Sequence, residues 1–522
     1  MLYLLHQIVD ESARRYPDRD AFCYGSETLN YRALAQRANG LAGTLRDEGV
    51  NEGDRVGLLL PKCLHMPVAV FGVLKAGATM VPLDAQSPVD RLAMIIRDAG
   101  IRHLIATPDQ LRLVRALLAS GDLAISLVIG PEPASDLPCR TIPWHSVAPG
   151  KRAPKIALVE DDPAYLLFTS GSTGQPKGIL HSHRSGLTYA RLSADTYGVR
   201  PDDRLGSFAP LHFDQSTFDF YTGPLCGATT VLIPRAFAVA TASLAALMEE
   251  AALTIWYSVP SVLVQLVLQG ALADRDLSHL RWILFGGESF PLKHLEKLMS
   301  LAPNARFSNV YGPTEVNQCT YYHLTSQAHL TEAIPIGRVW PNTQALILDE
   351  NESPVTQGEP GELLIRSPTM MLGYWRRPEL NERAFYYQTR DSGVRDRFYR
   401  TGDLVRTRPD GNMEFLGRKD RQIKTRGYRV ELDEIEHLLC MHDRVEEAAT
   451  YTVEDSQQGL LIEAAVVAAG QGSLSQKDLA IHLAKHLPPY ARPRRVMVLE
   501  EFPRTRTGKI DRNALRALAP SG

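Results

Sequence analysis

Cysteine is scarce in this 522-residue chain: Cys23, Cys63, Cys139, Cys226, Cys319 and Cys440, with no C-x-x-C pair and no metal-ligand spacing. That pattern excludes a disulfide framework and a structural zinc site, and it reads as a reduced, cytosolic thiol set. Excess charge of either sign is also missing. Lys and Arg number 57 against 59 Asp and Glu, for a net charge of -2 and a pI near 6.7. Neither nucleic acid nor an anionic membrane would be attracted in general. Long apolar runs are absent, since the longest, Met66 to Leu83, contains Lys75, Gly72, Gly77 and Pro82. It reads as a buried helix followed by a strand, not a membrane span. The N-terminus has no basic segment, and His6, Gln7 and Asp10 interrupt its apolar residues, so it is no signal peptide. No internal repeat or low-complexity segment is present, and the expected location is the cytoplasm.

What remains is an ordinary globular composition, 44% apolar and 22% charged, on a chain too long for one hydrophobic core. At least two domains are expected. Helical spacing covers Leu2 to Tyr16, and a short hairpin is expected from Ala21–Tyr24 and Thr28–Tyr31, followed by a helix over 33–49. Then strands (55–60, 80–82, 103–106) alternate with helices (67–76, 88–98), which implies parallel sheets with helices on their faces. From about 336 to 419 the pattern becomes β-rich with regular Gly/Pro turns, a small β-subdomain. After Asp420 the chain turns basic, then helical and acidic, placing a boundary between 1–420 and 421–522. The last part reads as strand 422–430, helix 431–440, strands 448–451 and 461–468, helix 476–486 and strand 495–499. The fold class is α/β, with a large N-terminal domain and a small α+β C-terminal one.

The chain is organised around YLLFTSGSTGQPKGILHSH, Tyr165 to His183. An apolar strand ending at Phe168 leads into Thr169, Ser170, Gly171, Ser172, Thr173, Gly174, Gln175, Pro176 and Lys177. Glycines let backbone N–H groups approach an anion, hydroxyls donate to phosphoryl oxygens, and one lysine adds mobile positive charge. Ser/Thr/Gly-rich segments are otherwise simply solvated loops. The string also departs from a P-loop, because Gly174 is followed by Gln175-Pro176-Lys177. Further on, LHFDQSTFDF carries Asp214 and Asp219 in an apolar, aromatic setting. One reading is a helix N-cap and a surface carboxylate; the other is a carboxylate at Asp214 waiting in an apolar pocket for a substrate ammonium. Leu284-Phe285-Gly286-Gly287-Glu288 and Val310-Tyr311-Gly312-Pro313-Thr314-Glu315 both end strands, where α/β proteins build small-molecule sites.

Taken together, these segments resemble, in order and over nearly the whole chain, the motifs of the adenylate-forming superfamily: acyl-CoA synthetases, luciferases and the adenylation domains of nonribosomal peptide synthetases. The resemblance implies that an acid and ATP give an acyl-adenylate and pyrophosphate, after which the acyl group passes to a thiol. It implies that Thr169, Ser170, Gly171, Ser172, Thr173, Gly174 and Lys177 hold the β- and γ-phosphates. Tyr311 would stack on adenine beside Gly286, Gly287, Glu288 and Gly312; Thr314 would hold the α-phosphate and Glu315 a Mg²⁺ ion. Asp403 would accept the ribose hydroxyls, with Arg418 nearby. Lys509 matches a mobile catalytic lysine, whose ammonium would offset the repulsion between carboxylate and α-phosphate. Asp420 aligns with a hinge whose rotation would withdraw Lys509 and present Lys424 to Gly427 for the thiol step.

Phe213-Asp214-Gln215-Ser216 matches the F-D-x-S motif of amino-acid-activating members, in which the aspartate pairs with the α-ammonium. The same alignment lines the side-chain pocket with Gln215, Phe218, Ser258, Leu284, Gly286, Val310, Gln318 and Cys319. A small or medium neutral amino acid would fit, proline or alanine for instance, although Gln215 and Gln318 could instead satisfy one another. No carrier module follows Lys509 and no condensation module precedes Met1. The expected partner is therefore a separate acyl or peptidyl carrier protein with a phosphopantetheine arm, in peptide antibiotic or other secondary-metabolite synthesis. Coenzyme A is the alternative acceptor, and a catalytically silent nucleotide-binding scaffold the alternative class. A silent copy would be expected to lose Lys509, Glu315 or Asp403, and all three are present.

Overall fold

The computed structural model describes residues 1–121, 123–133, 136–171, 175–238, 240–324, 333–455, 459–469, 474–505 and 510–518, and every count below refers to these. The chain divides into two units. The first comprises Met1–Ala85, Ile96–Leu167 and Gly178–Lys419; the second gathers Gln86–Ile95, Phe168–Lys177 and Asp420–Gly522.

Two large, mainly parallel sheets dominate the first unit. One has nine strands in the order Arg338–Val339, Thr320–Leu324, Arg306–Tyr311, Trp282–Gly286, Ile255–Ser258, Arg204–Ser207, Thr229–Leu232, Asp20–Tyr24 and Glu27–Asn30. Its interior pairs are parallel, and antiparallel strands close both edges. The other has eight, in the order Gly373–Tyr374, Lys177–Ser182, Pro163–Thr169, Thr79–Pro82, Arg55–Leu59, His103–Ala106, Leu127–Gly130 and Arg140–Pro143. From Pro163–Thr169 to Arg140–Pro143 it is parallel throughout. Strands covered on both faces cannot alternate with polar residues, which is why they read as apolar runs such as Ile283-Leu284-Phe285 and Leu127-Val128-Ile129.

Helices Tyr31–Asp47 and His65–Lys75 join these sheets, since Leu41, Phe71 and Leu74 share one apolar cluster with Phe22 and Leu29 of the first sheet and Val56 and Ile105 of the second. The run Met66 to Leu83 is thus a core helix and a strand. Lys75 is fully buried, its ammonium held by the Asp10 carboxylate and by Asn39 Oδ1 at 2.7 Å. Among the described residues no helix is long and apolar enough to cross a membrane. A third, antiparallel sheet orders Gln344–Leu348, Gly361–Arg366, Arg395–Thr407 and Phe385–Thr389, with Met413–Arg418 also pairing with Arg395–Thr407.

In the second unit, a hairpin (Gln422–Thr425, Tyr428–Glu431) precedes helix Leu432–Cys440 and a three-stranded sheet of Val445–Asp455, Gly459–Ala468 and Arg495–Leu499. Helix Gln476–His486 shares a core with helix Leu432–Cys440 through Leu438, Leu439, Leu479 and Leu483. Within this unit Arg91 Nη1 meets Glu434 Oε1 at 2.8 Å, with both side chains buried.

Three sequence expectations shift. The first helix begins at Gln7 rather than Leu2. The second starts at Tyr31, because the Asn30 side chain accepts from Ala33 N at 2.8 Å and caps it there, two residues before the expected start. The segment 422–430 is a hairpin, not one strand, because Arg426 and Gly427 take φ values of 50° and 82° and turn the chain.

Candidate active site

The turn after strand Arg306–Tyr311 is the hub of the first unit's site. At Gly312 a Cβ would lie 1.6 Å from Asn317 O, so only glycine allows the chain to double back there. Asn317, at φ 57°, donates its amide Nδ2 to Thr217 Oγ1 at 2.9 Å and so braces the segment carrying Asp214. The Thr314 carbonyl accepts from His181 Nε2 at 2.9 Å, which fixes that proton on Nε2. Glu315 is fully buried, and Tyr374 donates its hydroxyl to Oε1 at 2.6 Å. Burial holds the His181 pKa down to about 4, so its imidazole is neutral.

Asp403 lies on the long strand Arg395–Thr407, opposite Arg418 of the neighbouring strand. It accepts from the Tyr311 hydroxyl and from Arg418 Nη1, the latter at 2.5 Å. Burial and the Asp403 charge both push the Tyr311 phenol well above its ordinary range. Gly286 presses on the next strand, where a Cβ would lie 2.1 Å from Val310 O, and Gly287 follows at φ 93°. Glu288 turns toward the helix Pro260–Gln269 and accepts from Ser261 N at 3.3 Å.

Asp214 stands half-buried on a chain of tight turns, in which Thr217 N and Phe218 N donate to the carbonyls of Asp214 and Gln215. Burial holds the phenols of Tyr165, Tyr189 and Tyr257 above their ordinary range, and the Asp214 charge adds to that, second after burial at Tyr257 and as a smaller contribution at Tyr165 and Tyr189. Phe218, Leu284 and Val310 share one apolar cluster with Tyr197. Phe218 meets Tyr197 and Tyr257 edge-on at 6.0 and 5.8 Å between centroids. Gln318 Nε2 donates to Tyr197 OH at 2.6 Å, and Gln215 Nε2 to Tyr257 O at 2.7 Å. The two amides therefore have separate partners and do not satisfy each other. Cys319 belongs to a separate apolar cluster. Ser258 Oγ accepts from Trp256 Nε1 at 2.9 Å, and Cys319 packs with Ile179, Tyr311, Val316 and Tyr374. Phe213 borders His212, ring to ring at 5.0 Å.

The second unit carries the hydroxyl-rich loop. Thr169 Oγ1 is buried without a hydrogen-bond partner among the described residues, and Ser170 donates to Arg429 O at 3.0 Å. Gly171 runs so close to Gln175 that a Cβ would lie 2.2 Å from its carbonyl oxygen. Lys177 Nζ is 3.9 Å from Glu431 Oε1. Asp420 accepts from Gln422 N at 3.2 Å, and Lys424 to Gly427 form the end of the hairpin. Ser172, Thr173, Gly174 and Lys509 lie outside the described residues.

Sequence reading missed several participants. His181 and Tyr374 have no motif of their own; only the fold brings them to Thr314 and Glu315. Asp219, read as a surface carboxylate or cap, is buried in a π-helical turn, Phe218–Thr222, immediately after Phe218. Lys62 donates to Ser207 O and lies 3.1 Å from Ser207 Oγ. Burial pulls the Lys62 ammonium down and pushes the Asp219 carboxyl up, and each charge opposes the other's shift. The signal available in the sequence was a lysine in the apolar stretch Leu58 to Val68. Among the described residues no group of three or more His, Cys, Asp or Glu could hold a metal ion by itself.

Residues 9–375 match the family model of the AMP-binding enzyme, and 434–509 that of the AMP-binding enzyme C-terminal domain. The chain is 35% identical over 514 residues to an L-proline--[L-prolyl-carrier protein] ligase of Pseudomonas fluorescens, covering 98% of each. It is 35% identical to a stretch of a linear gramicidin synthase of Brevibacillus parabrevis, covering 98% of this chain and 10% of that protein. Its fold matches NpsA-ThdA, an artificially fused adenylation-PCP di-domain from Klebsiella oxytoca, with a TM-score of 0.80 at 26% identity, over 95% of this chain and 94% of that one. With most of its length matched by the first model and its last part by the second, the chain belongs to the AMP-binding enzyme family.

Proposed function

We propose that this protein activates a small or medium neutral amino acid with ATP and loads it on the phosphopantetheine thiol of a carrier protein. The observation that carries the reading is Asp214, a half-buried carboxylate whose charge reaches the buried phenols of Tyr165 and Tyr189 and the partly buried one of Tyr257, on a turn that Asn317 braces through Thr217. A carboxylate in an apolar, aromatic setting attracts a cation, and a substrate α-ammonium is one that fits. The relatives named as a prolyl-carrier ligase and a peptide synthase support the same class.

In the first step a carboxylate oxygen of the amino acid attacks the α-phosphorus of ATP, and the bond to the bridging oxygen breaks to release pyrophosphate. In the second, the carrier thiolate attacks the acyl carbon and AMP leaves. Tyr311, Asp403 and Arg418 would hold the nucleoside, with Gly286, Gly287, Glu288 and Gly312 lining its base, and Thr314 the α-phosphate. Thr169, Ser170, Gly171, Lys177 and the residues 172–174 would hold the β- and γ-phosphates. Lys509 would stabilise the charge that develops between the two anions, and Asp420 would be the hinge. Mg²⁺ fits the donor set, because that ion commonly takes one or two carboxylates and completes its shell with phosphate oxygens and water. Glu315, oriented by Tyr374, would supply the carboxylate. When bound, the ion would neutralise phosphate charge. The thiols of all six cysteines suit a cytoplasmic setting.

The test is pyrophosphate exchange into ATP against amino acids and matched acids lacking the amine, for the wild type and Asp214→Ala. Exchange with amino acids alone, lost in the variant, supports the reading. Exchange confined to acids without an amine would overturn it and point to a CoA ligase.

A further inference from the structure

Resting on that reading, the site's own unmet hydrogen bond narrows the substrate. Of the eight positions given to the amino-acid side chain, Gln318 is the one that carries a buried polar atom with no partner among the described residues, its carbonyl oxygen Oε1. The residue is 3% exposed. Its Nε2 is committed to Tyr197 OH at 2.6 Å, and Tyr197 leans edge-on against Phe218. Of the other polar neighbours, Gln215 Nε2 bonds Tyr257 O, Asn317 Nδ2 bonds Thr217 Oγ1 and Ser258 Oγ bonds Trp256 Nε1, while the Tyr189 hydroxyl and Trp340 Nε1 of the surrounding cluster, like Gln318 Oε1, have no hydrogen-bond partner among the described residues. Around them Leu284, Val310 and Phe218 offer only apolar surface.

A buried acceptor left without a donor is expensive, whereas a pocket with one such acceptor selects strongly for a ligand that supplies the donor. Turning the amide over does not remove the need. Oε1 would then accept from Tyr197, and Nε2 would be the unmatched atom. A hydroxyl or a carboxamide, each both donor and acceptor, satisfies either orientation. The side chains of proline and alanine satisfy neither. The pocket positions supply no carboxylate or cation besides Asp214, which the α-ammonium occupies, so the matching group is neutral.

We propose that the amino acid activated here carries a hydroxyl or carboxamide on its side chain, and that Gln318 reads it. The experiment is pyrophosphate exchange with the full chain, comparing isosteric pairs: serine with 2-aminobutyrate, threonine with valine, asparagine with leucine, glutamine with methionine, beside proline, alanine and charged amino acids. The expected result is one polar member exceeding its apolar isostere by about a hundredfold or more in kcat/KM. In Gln318→Met, which keeps the length and loses the polar atoms, that ratio falls below about tenfold. Strongest exchange with proline, alanine or a charged amino acid, or equal rates within the pairs, overturns the proposal while leaving amino-acid activation standing. No exchange with any amino acid overturns both. The wild-type pairs decide the matter even if the variant fails to fold.

Discussion

Acid should loosen the first unit at His6, His181 and His183. His6 and His183 are buried and meet edge-on at 6.2 Å, Leu5 N donates to His183 Nδ1 at 3.2 Å, and His181 stacks on Tyr165 at 4.8 Å. Burial pulls the pKa values of His6 and His183 from 6.5 to about 3, and Lys75 adds to the effect on His6. The folded values lie below the unfolded one. Stability is therefore full above pH 6.5 and falls as the pH drops toward the folded value, because only the unfolded chain takes up the proton. At pH 5 an imidazole of ordinary pKa is mostly protonated, so each such group removes about 2 kcal/mol. Set against a net stability of about 5–15 kcal/mol, that is large. The clean comparison is His6→Leu with the wild type, by urea denaturation at pH 7.5 and pH 5.0. The wild type should lose about 2 kcal/mol more than the variant over that interval. The difference cancels the other groups that titrate there, Lys62 and Asp219 included. Parallel losses in the two proteins would refute a neutral buried His6.

Other perturbations have outcomes of their own. Asp203→Ala deletes a buried carboxylate that accepts from Arg281 Nε, Thr254 Oγ1 and Arg200 N, each at 2.7 Å, and should cost about 3–5 kcal/mol in urea unfolding; a loss under about 1 kcal/mol would contradict the network's importance. Lys75→Met should be within about 1.5 kcal/mol of neutral, whereas Asp10→Ala, which strands the buried ammonium, should cost more; the reverse ranking in thermal melts would sink this account. Asp403→Ala should raise KM for ATP about tenfold or more and leave KM for the amino acid within about twofold, as exchange kinetics will report.

The architecture was legible because parallel strands covered on both faces must be apolar runs, and those runs stand out between polar helices. The glycines were legible too: Gly312 and Gly286 sit where a Cβ would strike backbone. Element ends were less so, since a cap such as Asn30 or a turn such as Arg426-Gly427 depends on one side chain or one dihedral.

By itself the sequence determined the alternation of strands and helices, the placing of motifs at strand ends, and the residue types that suit a polyphosphate and an ammonium. Those follow from local spacing and chemistry. Only tertiary structure decided which groups meet: His181 on Thr314, Tyr374 on Glu315, Asn317 on Thr217, and Gln318 on Tyr197 with its carbonyl unmatched. The members of each pair are from 59 to 133 residues apart in the chain. Hydrogen bonds act over about 3 Å and leave no periodic trace in sequence, so such meetings exist only once the chain has folded.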